Sequence, residues 1–432
     1  MSGSPHQHTR RSVLQSMAAM GLSVMLPGMN ARAAGLRRSE RPKSLITLWM
    51  SGGMSQLESW DPHPQAPGDD QIAPIRTTVD GLQISNLLPQ MAEQMHLTTL
   101  IRSLTSLEGD HERGTFFVKT GYRLEPTLQY PALGAIAARE LPDHGVEIPQ
   151  HVSLGGEQFW PLGGYLGNEW DAFRVFDPGR LQGNLHSGVS DSQQHRRLEG
   201  LSVLGRAFEH GRPKALDRTL HKDTVDRALK MMSSDQLDAF QIDDEPAAVR
   251  QAYGDTRFGR GCLVARRLVE TGVRAIEVCL NGFDTHIDNY KGQKTNCEIL
   301  DPAFATLLTE LRERDLLAST IVLCISEFGR TPQINPAGGR DHWPNWFSCV
   351  VAGGGFREGL VLGLTPGTVP AVSDIRPEDP ITIPELYATI LHSMGIDGSL
   401  EFITPIGRPI RYASADPVAR LLTDAAAAGI RT

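Results

Sequence analysis

The stretch ISEFGRTPQINPAGGRDHWPN, residues 325–345, decides how the rest of the chain can be interpreted. It follows the run STIVLC at 319–324, which has the apolar character of a strand buried on both faces. Two prolines and three glycines separate Glu327 from His342, so the stretch is predicted to be a long loop. A polar loop after the carboxyl end of a buried strand is where open α/β sheets place ligand sites.

A second loop of the same character, NGFDTHIDN at 281–289, follows another apolar run and carries Asp284 and His286. An Asp and a His two residues apart on an extended segment can point to one side. Carboxylates and imidazoles are ligands of zinc and manganese, with calcium as an alternative metal. We therefore predict that Asp284, His286 and His342 bind one divalent metal ion. Glu327 is predicted to be a further ligand or a general base.

Each assignment has a structural alternative. Asp284 could cap a turn, and Glu327 could form an ion pair with Arg330. Asp341 could fix the imidazole of His342, or it could form a salt bridge with Arg340 or Arg330 instead.

A charged cluster, EGDHERGT at 108–115, opens a predicted helix. His111 could act as a general acid or as an added metal ligand, and the helix N-terminus should lower its pKa. Its alternative is a simple hydrogen bond with Asp110. Arg113 is predicted to stabilise negative charge that develops on a substrate, and Arg330 could join it in holding an anion.

The order of elements predicts the fold. Apolar strand-like runs such as 43–50 alternate with amphipathic helices such as 260–271 and 301–317. This alternation is typical of a mostly parallel sheet with helices on both faces, so the predicted fold class is a three-layer α/β/α sandwich over residues 43–415. Residues 155–252 break the alternation and are predicted to be a loop and helical insertion that covers one end of the sheet.

Parallel strands bring their carboxyl ends to one edge of a sheet. Ser51, Asp284 and Glu327 each follow an apolar run. We therefore expect the three residues to lie at the same edge.

The first 33 residues have the three regions of an export signal. Arg10 and Arg11 form a twin-arginine pair, an apolar stretch follows at 13–26, and Ala-Arg-Ala at 31–33 is a small-x-small cleavage site. The sequence therefore predicts a mature protein that is periplasmic or secreted.

Composition excludes two classes of partner. Lys and Arg number 42 against 50 Asp and Glu, a formal charge of −8 without a basic patch, so nucleic acid is not an expected partner. No later apolar run reaches the length of a membrane helix, so the mature chain is predicted to have no membrane span.

The five cysteines lack metal-type spacing and are predicted to be buried, inert thiols, with one disulfide through Cys297 as the alternative.

Six motifs along the chain resemble those of one bacterial family. They are KSLITLWMSGGMSQLESWDPHP, EGDHERGTFFVKTGY, YPALGAIAARELP, DTHIDN, EFGRTP and GRDHWPN. The family is known as domain of unknown function 1501, and its members usually carry twin-arginine signals. It is similar in turn to the alkaline phosphatase and sulfatase superfamily. This resemblance implies an α/β/α sandwich and a metal-assisted site for phosphate or sulfate esters.

The same resemblance implies departures from the superfamily pattern. Ser51 stands where a metal-binding Asp is expected, and Phe328 stands where the His of an Asp-His pair is expected. His111 falls near the place of the nucleophile. The resemblance thus implies one surviving metal site and an incomplete second one.

Two hypotheses of function follow. The first is a periplasmic metal-dependent hydrolase that acts on a phosphate or sulfate ester of a small molecule or a saccharide. The second is a non-catalytic protein of sulfatase fold that binds anionic glycans or a partner protein, which the missing ligands favour.

Overall fold

The structure is a computed structural model that describes residues 44–63, 71–142, 145–156, 158–180, 188–209, 221–363 and 379–430. The predicted signal peptide lies outside these residues. The strands are, in chain order, β1 Ser44–Ser51, β2 Pro74–Arg76, β3 Gln83–Ser85, β4 Thr98–Thr105, β5 His151–Leu154, β6 Phe173–Val175, β7 Ala275–Asn281, β8 Thr320–Ile325, β9 Gly329–Arg330, β10 His342–Trp343, β11 Phe347–Ala352, β12 Leu360–Leu362, β13 Ile381–Thr382, β14 Glu401–Ile403 and β15 Pro409–Arg411. The helices are α1 Pro89–Gln94, α2 His111–Thr120, α3 Leu133–Glu140, α4 Asp191–Glu209, α5 His221–Met232, α6 Ala247–Tyr253, α7 Arg257–Thr271, α8 Asn289–Glu313 and α9 Ile383–Ser393.

A nine-stranded sheet forms the centre of the molecule. Its order is β12-β4-β11-β8-β1-β7-β5-β6, and β13 adds to β4. Strand β11 runs antiparallel to both of its neighbours, whereas the other strand pairs are parallel. The predicted mostly parallel α/β fold is therefore confirmed, and the reversed β11 is a feature that the sequence pattern did not indicate.

Helices cover both faces of the sheet because the central strands are apolar on both sides. In β1, Ile46 and Leu48 belong to one hydrophobic cluster, which contains the buried faces of α1, α7 and α8. Leu45 and Trp49 belong to the opposite cluster, which contains residues of α2, α3 and α9. Successive residues of a strand point to opposite faces, so a continuous apolar run supplies two cores at once.

Helix α8 begins twelve residues before the predicted start at Asp301 and also ends earlier than predicted, at Glu313. Its first turns bury polar side chains, including Asn289, Gln293 and Asn296. These polar residues occupy the buried face of the helix at helical spacing. The sequence therefore shows no apolar periodicity over the first turns. Pro302 lies inside the helix.

The predicted insertion also contributes to the sheet. Phe173–Val175 pairs in parallel with Val152–Leu154 and forms the edge strand β6. Helices α4, α5 and α6 follow it in the chain.

The carboxyl ends of β1, β7 and β8 meet at one edge of the sheet. Ser51 pairs in register with Asn281, and Trp49 pairs with Ile325. The backbone N–H of Gly52 donates to Glu327 Oε1 at 2.9 Å, across the strand ends. The prediction that Ser51, Asp284 and Glu327 share one edge is therefore confirmed.

All five cysteines are buried and free, as predicted: Cys262, Cys279, Cys297, Cys324 and Cys349. No disulfide involves Cys297. Over the described ranges, no helix combines the length and apolar character that a membrane crossing requires.

Candidate metal centre

Three segments bring four predicted site residues together at the carboxyl edge of the sheet. His111 is the first residue of α2, and Asp110 caps this helix by accepting from Arg113 N. Asp284 and His286 lie in the loop after β7. The loop after β8 folds back on itself because β9 pairs with β10 in antiparallel fashion. In this pairing His342 lies opposite Arg330, and His342 is thereby brought back to the carboxyl edge of the sheet.

The donor atoms of these residues converge. His286 Nε2 lies 3.0 Å from His342 Nε2, and these two atoms lie 3.2 and 3.4 Å from Asp284 Oδ1. His111 Nε2 lies 3.4 Å from Asp284 Oδ2. One donor atom each of His111, Asp284 and His342 falls within 4.8 Å of the others. Ligand atoms at about 2.0–2.1 Å from a tetrahedral zinc ion are about 3.4 Å apart, so these spacings fit a metal site.

Hydrogen bonds on the far side of each ring set the histidine tautomers. His342 Nδ1 lies 2.7 Å from the Gly109 carbonyl oxygen, which can only accept. His286 Nδ1 lies 3.0 Å from Asp341 Oδ1. Hydrogen bonds from Asn335 and from His286 hold the pKa of Asp341 below its usual value, so this carboxylate also accepts. The protons therefore belong on Nδ1, and both Nε2 atoms present lone pairs.

Two lone pairs 3.0 Å apart repel unless a cation lies between them. Imidazoles whose second nitrogen donates to a carboxylate or a carbonyl are the usual form of metal-ligating histidine. Asp284 supplies a carboxylate to the same point. The chemistry of the donor set thus fits a divalent ion such as zinc, which Asp284, His286 and His342 would hold.

Glu327 lies behind His111 and is almost completely buried. Its Oε1 is 2.8 Å from His111 Nδ1, and it also accepts from the Gly52 N–H and from Ser326 Oγ. The structure therefore places Glu327 as the partner that orients His111, and it does not bring Glu327 into contact with Asp284.

The predicted pKa shift of His111 is wrong in direction. Hydrogen bonds to Asp284 and then to Glu327 raise the pKa of His111 to about 9. Two carboxylates within hydrogen-bond distance outweigh the helix N-terminus, whose effect is a fraction of a charge. Burial opposes ionisation of Asp284, but hydrogen bonds from His111 and Arg330 hold its pKa well below the usual value.

Arg330 differs from both of its predicted roles. Its guanidinium is fully buried and donates to the carbonyls of Gly53 and Arg340 and to Asp284 Oδ1, at 2.9, 3.0 and 2.6 Å. It therefore pairs with Asp284 rather than with Glu327. Because these partners occupy its guanidinium, Arg330 orients Asp284 and is not available to a substrate anion.

Two other predicted residues also have different partners. The side chain of Arg113 is 59% exposed and lies 3.5 Å from Glu108 and 3.7 Å from Asp110, on the outside of α2. Asp341 contacts His286 and not the neighbouring His342. The backbone carbonyl oxygen of Gly109 is the partner of His342 Nδ1 instead. A main-chain acceptor leaves no signal in the sequence, so this partner could not be predicted.

Phe328 forms the apolar wall of the centre. Its ring centroid lies 4.4 Å from that of His342 and 5.1 Å from that of His111. A Cβ atom at Gly53 would come within 2.7 Å of this ring, and Gly53 has a φ of +86°. The Gly-Gly turn after β1 is therefore required where the backbone passes close to Phe328.

The fold and this site define an α/β/α protein with a histidine-rich candidate metal centre at the carboxyl edge of its sheet. The chain belongs to the family described as Protein of unknown function (DUF1501), which matches residues 42–422. No curated protein matches the sequence.

Several solved structures are similar to this chain. The PsFucS1 sulfatase from Pseudoalteromonas sp. shares 12% identity, with coverage of 91% of this chain and 74% of the other and a TM-score of 0.42. A protein in the alkaline phosphatase superfamily from Vibrio parahaemolyticus shares 13% identity, with coverage of 90% and 76% and a TM-score of 0.33. The lipoteichoic acid synthase LtaP from Listeria monocytogenes shares 7% identity, with coverage of 87% and 76% and a TM-score of 0.38.

Proposed function

We propose that this protein is a metal-dependent hydrolase of phosphate or sulfate esters. The observation that carries the proposal is the convergence of His286 Nε2, His342 Nε2 and Asp284 Oδ1 within 3.0–3.4 Å, with each Nδ1 held by an acceptor. A bound divalent ion would polarise the ester oxygens and lower the pKa of water to near neutrality.

The proposed roles of the remaining residues follow from their contacts. Asp284, His286 and His342 hold the metal, and Arg330 fixes the carboxylate of Asp284. His111 lies at the margin of the centre with Glu327 on its far nitrogen, so it is placed to donate a proton from Nε2 to a leaving group. Glu327 keeps His111 in the orientation that this transfer requires.

Metal content tests the proposal directly. Wild type and the variants His286→Ala, His342→Ala, His111→Ala and His195→Ala would be supplied with zinc, manganese or calcium and measured by elemental analysis. We expect His286→Ala and His342→Ala to lose stoichiometric metal, whereas His111→Ala keeps it and loses ester hydrolysis. His195 is a matched control because it is 76% exposed on α4. Wild-type protein that binds none of these metals, or ligand variants that bind as much as wild type, would refute the proposal.

One observation favours the second candidate, a non-catalytic protein that binds anionic glycans or a partner protein. In the part of the chain that the structure describes, the side chains hydrogen-bonded or ion-paired to His111, Asp284, His286 and His342 carry no hydroxyl or thiol. The hydrogen-bond network of the centre therefore contains no candidate for a covalent nucleophile of this kind. Stoichiometric metal without hydrolysis of any phosphate or sulfate ester would select the binding protein.

We also propose export by the twin-arginine route to the periplasm or beyond. The support is the order of Arg10, Arg11, the apolar stretch and the Ala-Arg-Ala site. The double variant Arg10→Lys, Arg11→Lys should leave an uncleaved cytoplasmic precursor, which fractionation and mass spectrometry would detect. A mature N-terminus at Ala34 in this variant would contradict the proposal.

A further inference from the structure

Two separate loops supply the ligands of the candidate metal centre, and Arg340 lies where these loops meet. Asp284 and His286 belong to the loop after β7, and His342 ends the loop after β8. Arg340 lies two residues before His342, and its side chain is fully buried. A buried charge is stable only when it is paired and hydrogen-bonded, so the partners of Arg340 show what its burial achieves.

The backbone of Arg340 bonds to groups that adjoin the proposed ligands. Its N–H donates to the carbonyl oxygen of Thr285 at 3.0 Å. Thr285 separates Asp284 from His286 in the chain. The carbonyl oxygen of Arg340 accepts from Arg330 Nη1 at 3.0 Å, and the same Arg330 guanidinium donates to Asp284 Oδ1. Both main-chain groups of Arg340 therefore join the loop of His342 to the loop of Asp284.

The two loops are also in direct contact beside Arg340. Gly339 lies against the backbone of His286, and a Cβ atom at Gly339 would overlap the carbonyl oxygen of His286. The side-chain amide of Asn335 donates to the same carbonyl oxygen at 3.0 Å. A displacement of this part of the loop would therefore also displace His286.

The guanidinium of Arg340 fixes this junction to the segment after β1. Its Nε and Nη2 donate to Glu58 Oε1 at 3.0 and 2.8 Å, and Glu58 is itself buried and accepts from Ser55 Oγ. Its Nη1 donates to the carbonyl oxygens of Thr331 and Pro332 at 3.0 and 2.5 Å. One planar group with several donors thus ties the β1 segment to both ends of the loop after β8.

We propose that Arg340 is a positioning residue of the metal centre and that Glu58 orients it. A guanidinium has no acceptor lone pair, so Arg340 cannot be a ligand. It acts by setting the distance between the loop of Asp284 and His286 and the loop of His342. This inference rests on the proposed metal centre and adds the buried pair that holds the two halves of that centre together.

A second buried ion pair provides a matched control. Arg266 Nη2 lies 2.8 Å from Glu245 Oε1, and their side chains are 2% and 7% exposed. Arg340 Nη2 lies 2.8 Å from Glu58 Oε1, with side chains 1% and 3% exposed. Arg266 belongs to α7, and its carboxylate partners are outside the ligand loops. The two arginines therefore match in burial and pairing and differ in their relation to the centre.

The zinc Kd of Arg340→Lys and Arg266→Lys, measured by competition with a chelator, tests the proposal. Lysine keeps the charge but lacks the planar fork, so it cannot reproduce the bonds of Arg340 to Glu58 and to two carbonyl oxygens. Loss of an outer partner of a metal site raises the metal Kd about 10- to 100-fold, and we expect this rise for Arg340→Lys. Arg266→Lys should stay within about twofold of wild type, because distant sites act independently. The urea midpoints of both metal-free variants should fall.

Cobalt(II) bound in place of zinc gives a readout that a loss of stability alone would not change. Its visible absorption depends on the number and arrangement of its ligands. The spectrum should change in Arg340→Lys and stay that of wild type in Arg266→Lys. Glu58→Gln keeps an oxygen that accepts from Arg340 but removes the charge. Its zinc Kd should lie between those of the two lysine variants, and it decides the inference if Arg340→Lys does not fold.

Hydrogen exchange tests the same coupling in the metal-free protein. Arg340→Lys should increase amide exchange in residues 283–288, which belong to the other ligand loop. Arg266→Lys should leave exchange in this segment unchanged, although it also breaks a buried pair.

The outcomes separate this inference from the proposed function. Equal zinc Kd values and equal cobalt spectra for Arg340→Lys and Arg266→Lys would overturn the inference, whereas metal bound by the wild type would still support the proposed function. If the wild type binds no metal, the proposed function fails, and hydrogen exchange then decides whether Arg340 holds the two loops together. Unchanged exchange in residues 283–288 of Arg340→Lys would overturn that coupling as well.

Discussion

His111 and His151 lie in two regions that contain the same residue types but shift the pKa of histidine in opposite directions. His111 stands at the sheet edge between Asp284 and Glu327, and these carboxylates raise its pKa to about 9. His151 begins β5 inside the molecule, where burial lowers its pKa to about 4. The partner groups and the access of solvent decide the sign of each shift.

The interior region contains Lys119, Glu277 and His151, and we call it the interior polar cluster. Together with Trp49, these residues line one cavity between the sheet and its helices. Lys119 Nζ lies 3.0 Å from Glu277 Oε1 and 4.5 Å from the centre of the Trp49 ring. This cation and anion neutralise each other directly.

At the edge, by contrast, two histidine nitrogens and a carboxylate oxygen converge on one point. His286 Nε2 and His342 Nε2 are 3.0 Å apart, and Asp284 Oδ1 is beside both. Histidine, carboxylate and a basic residue occur in both regions. Convergence of two imidazole nitrogens with one carboxylate oxygen therefore distinguishes the candidate metal centre from a structural ion pair.

The largest expected effect comes from breaking the interior polar cluster. Lys119→Met leaves Glu277 buried without a counter-charge, and losing one partner of a buried pair costs about 3–5 kcal/mol in unfolding free energy. Urea denaturation measures the change. The double variant Lys119→Met, Glu277→Gln should recover part of the loss.

An exposed residue of the same helix provides the control for this comparison. The side chain of Arg113 is 59% exposed, so Arg113→Met should cost less than about 1 kcal/mol. Equal losses for the two α2 variants would show that the interior pair is no more than a surface contact.

The second effect is a pH dependence of stability that His151 produces. Its folded pKa of about 4 lies below the unfolded value of 6.5, so the unfolded chain binds the extra proton between these values. Stability from this group is fully present above pH 6.5 and is lost as pH falls towards 4. The loss over the whole window is about 3 kcal/mol, from about 1.4 kcal/mol per pKa unit.

The variant His151→Asn isolates this contribution. An Asn side-chain amide can still donate to the Trp170 carbonyl, which His151 Nδ1 contacts at 2.8 Å, but it does not titrate. Urea midpoints at pH 4.5, 5.5, 6.5 and 7.5 should therefore fall less steeply with acid in the variant. Parallel pH profiles for the two proteins would contradict the assignment of a low pKa to His151.

The sequence predicted the edge of the sheet better than its interior. Asp284 and Glu327 follow apolar runs, and parallel strands must bring such ends together, so their proximity could be deduced. Glu277 lies within an apolar run and its partner Lys119 is 158 positions earlier, so no local pattern could pair them. Long-range pairing of single charges depends on the packed fold.

Within the centre, the convergence of three side chains could be predicted from the sequence, but their hydrogen-bond partners could not. Asp284, His286 and His342 could be predicted because of their residue types and their positions in loops that follow apolar runs. That Asp341 contacts His286 depends on how Asn335 and the β9–β10 pairing fold the loop back. Such contacts are set by backbone geometry, which residue types alone do not encode.

The smallest expected effect tests whether the acceptor behind His286 distinguishes this centre from an ordinary surface cluster. Asp341→Asn removes the negative charge that His286 Nδ1 contacts at 3.0 Å but keeps an oxygen that can accept. Loss of such an outer partner lowers metal affinity about 10- to 100-fold in metal sites. Competition with a chromogenic chelator would measure the zinc Kd of wild type and variant.

Asp243→Asn is the control, because Asp243 is 88% exposed and pairs with Arg250 away from the centre. Because Asp341 is itself 60% exposed, the unfolding free energy of the metal-free variant should stay within about 0.5 kcal/mol of wild type. A zinc Kd that is the same for Asp341→Asn and for Asp243→Asn would mean that the His286–Asp341 contact is a surface hydrogen bond like any other.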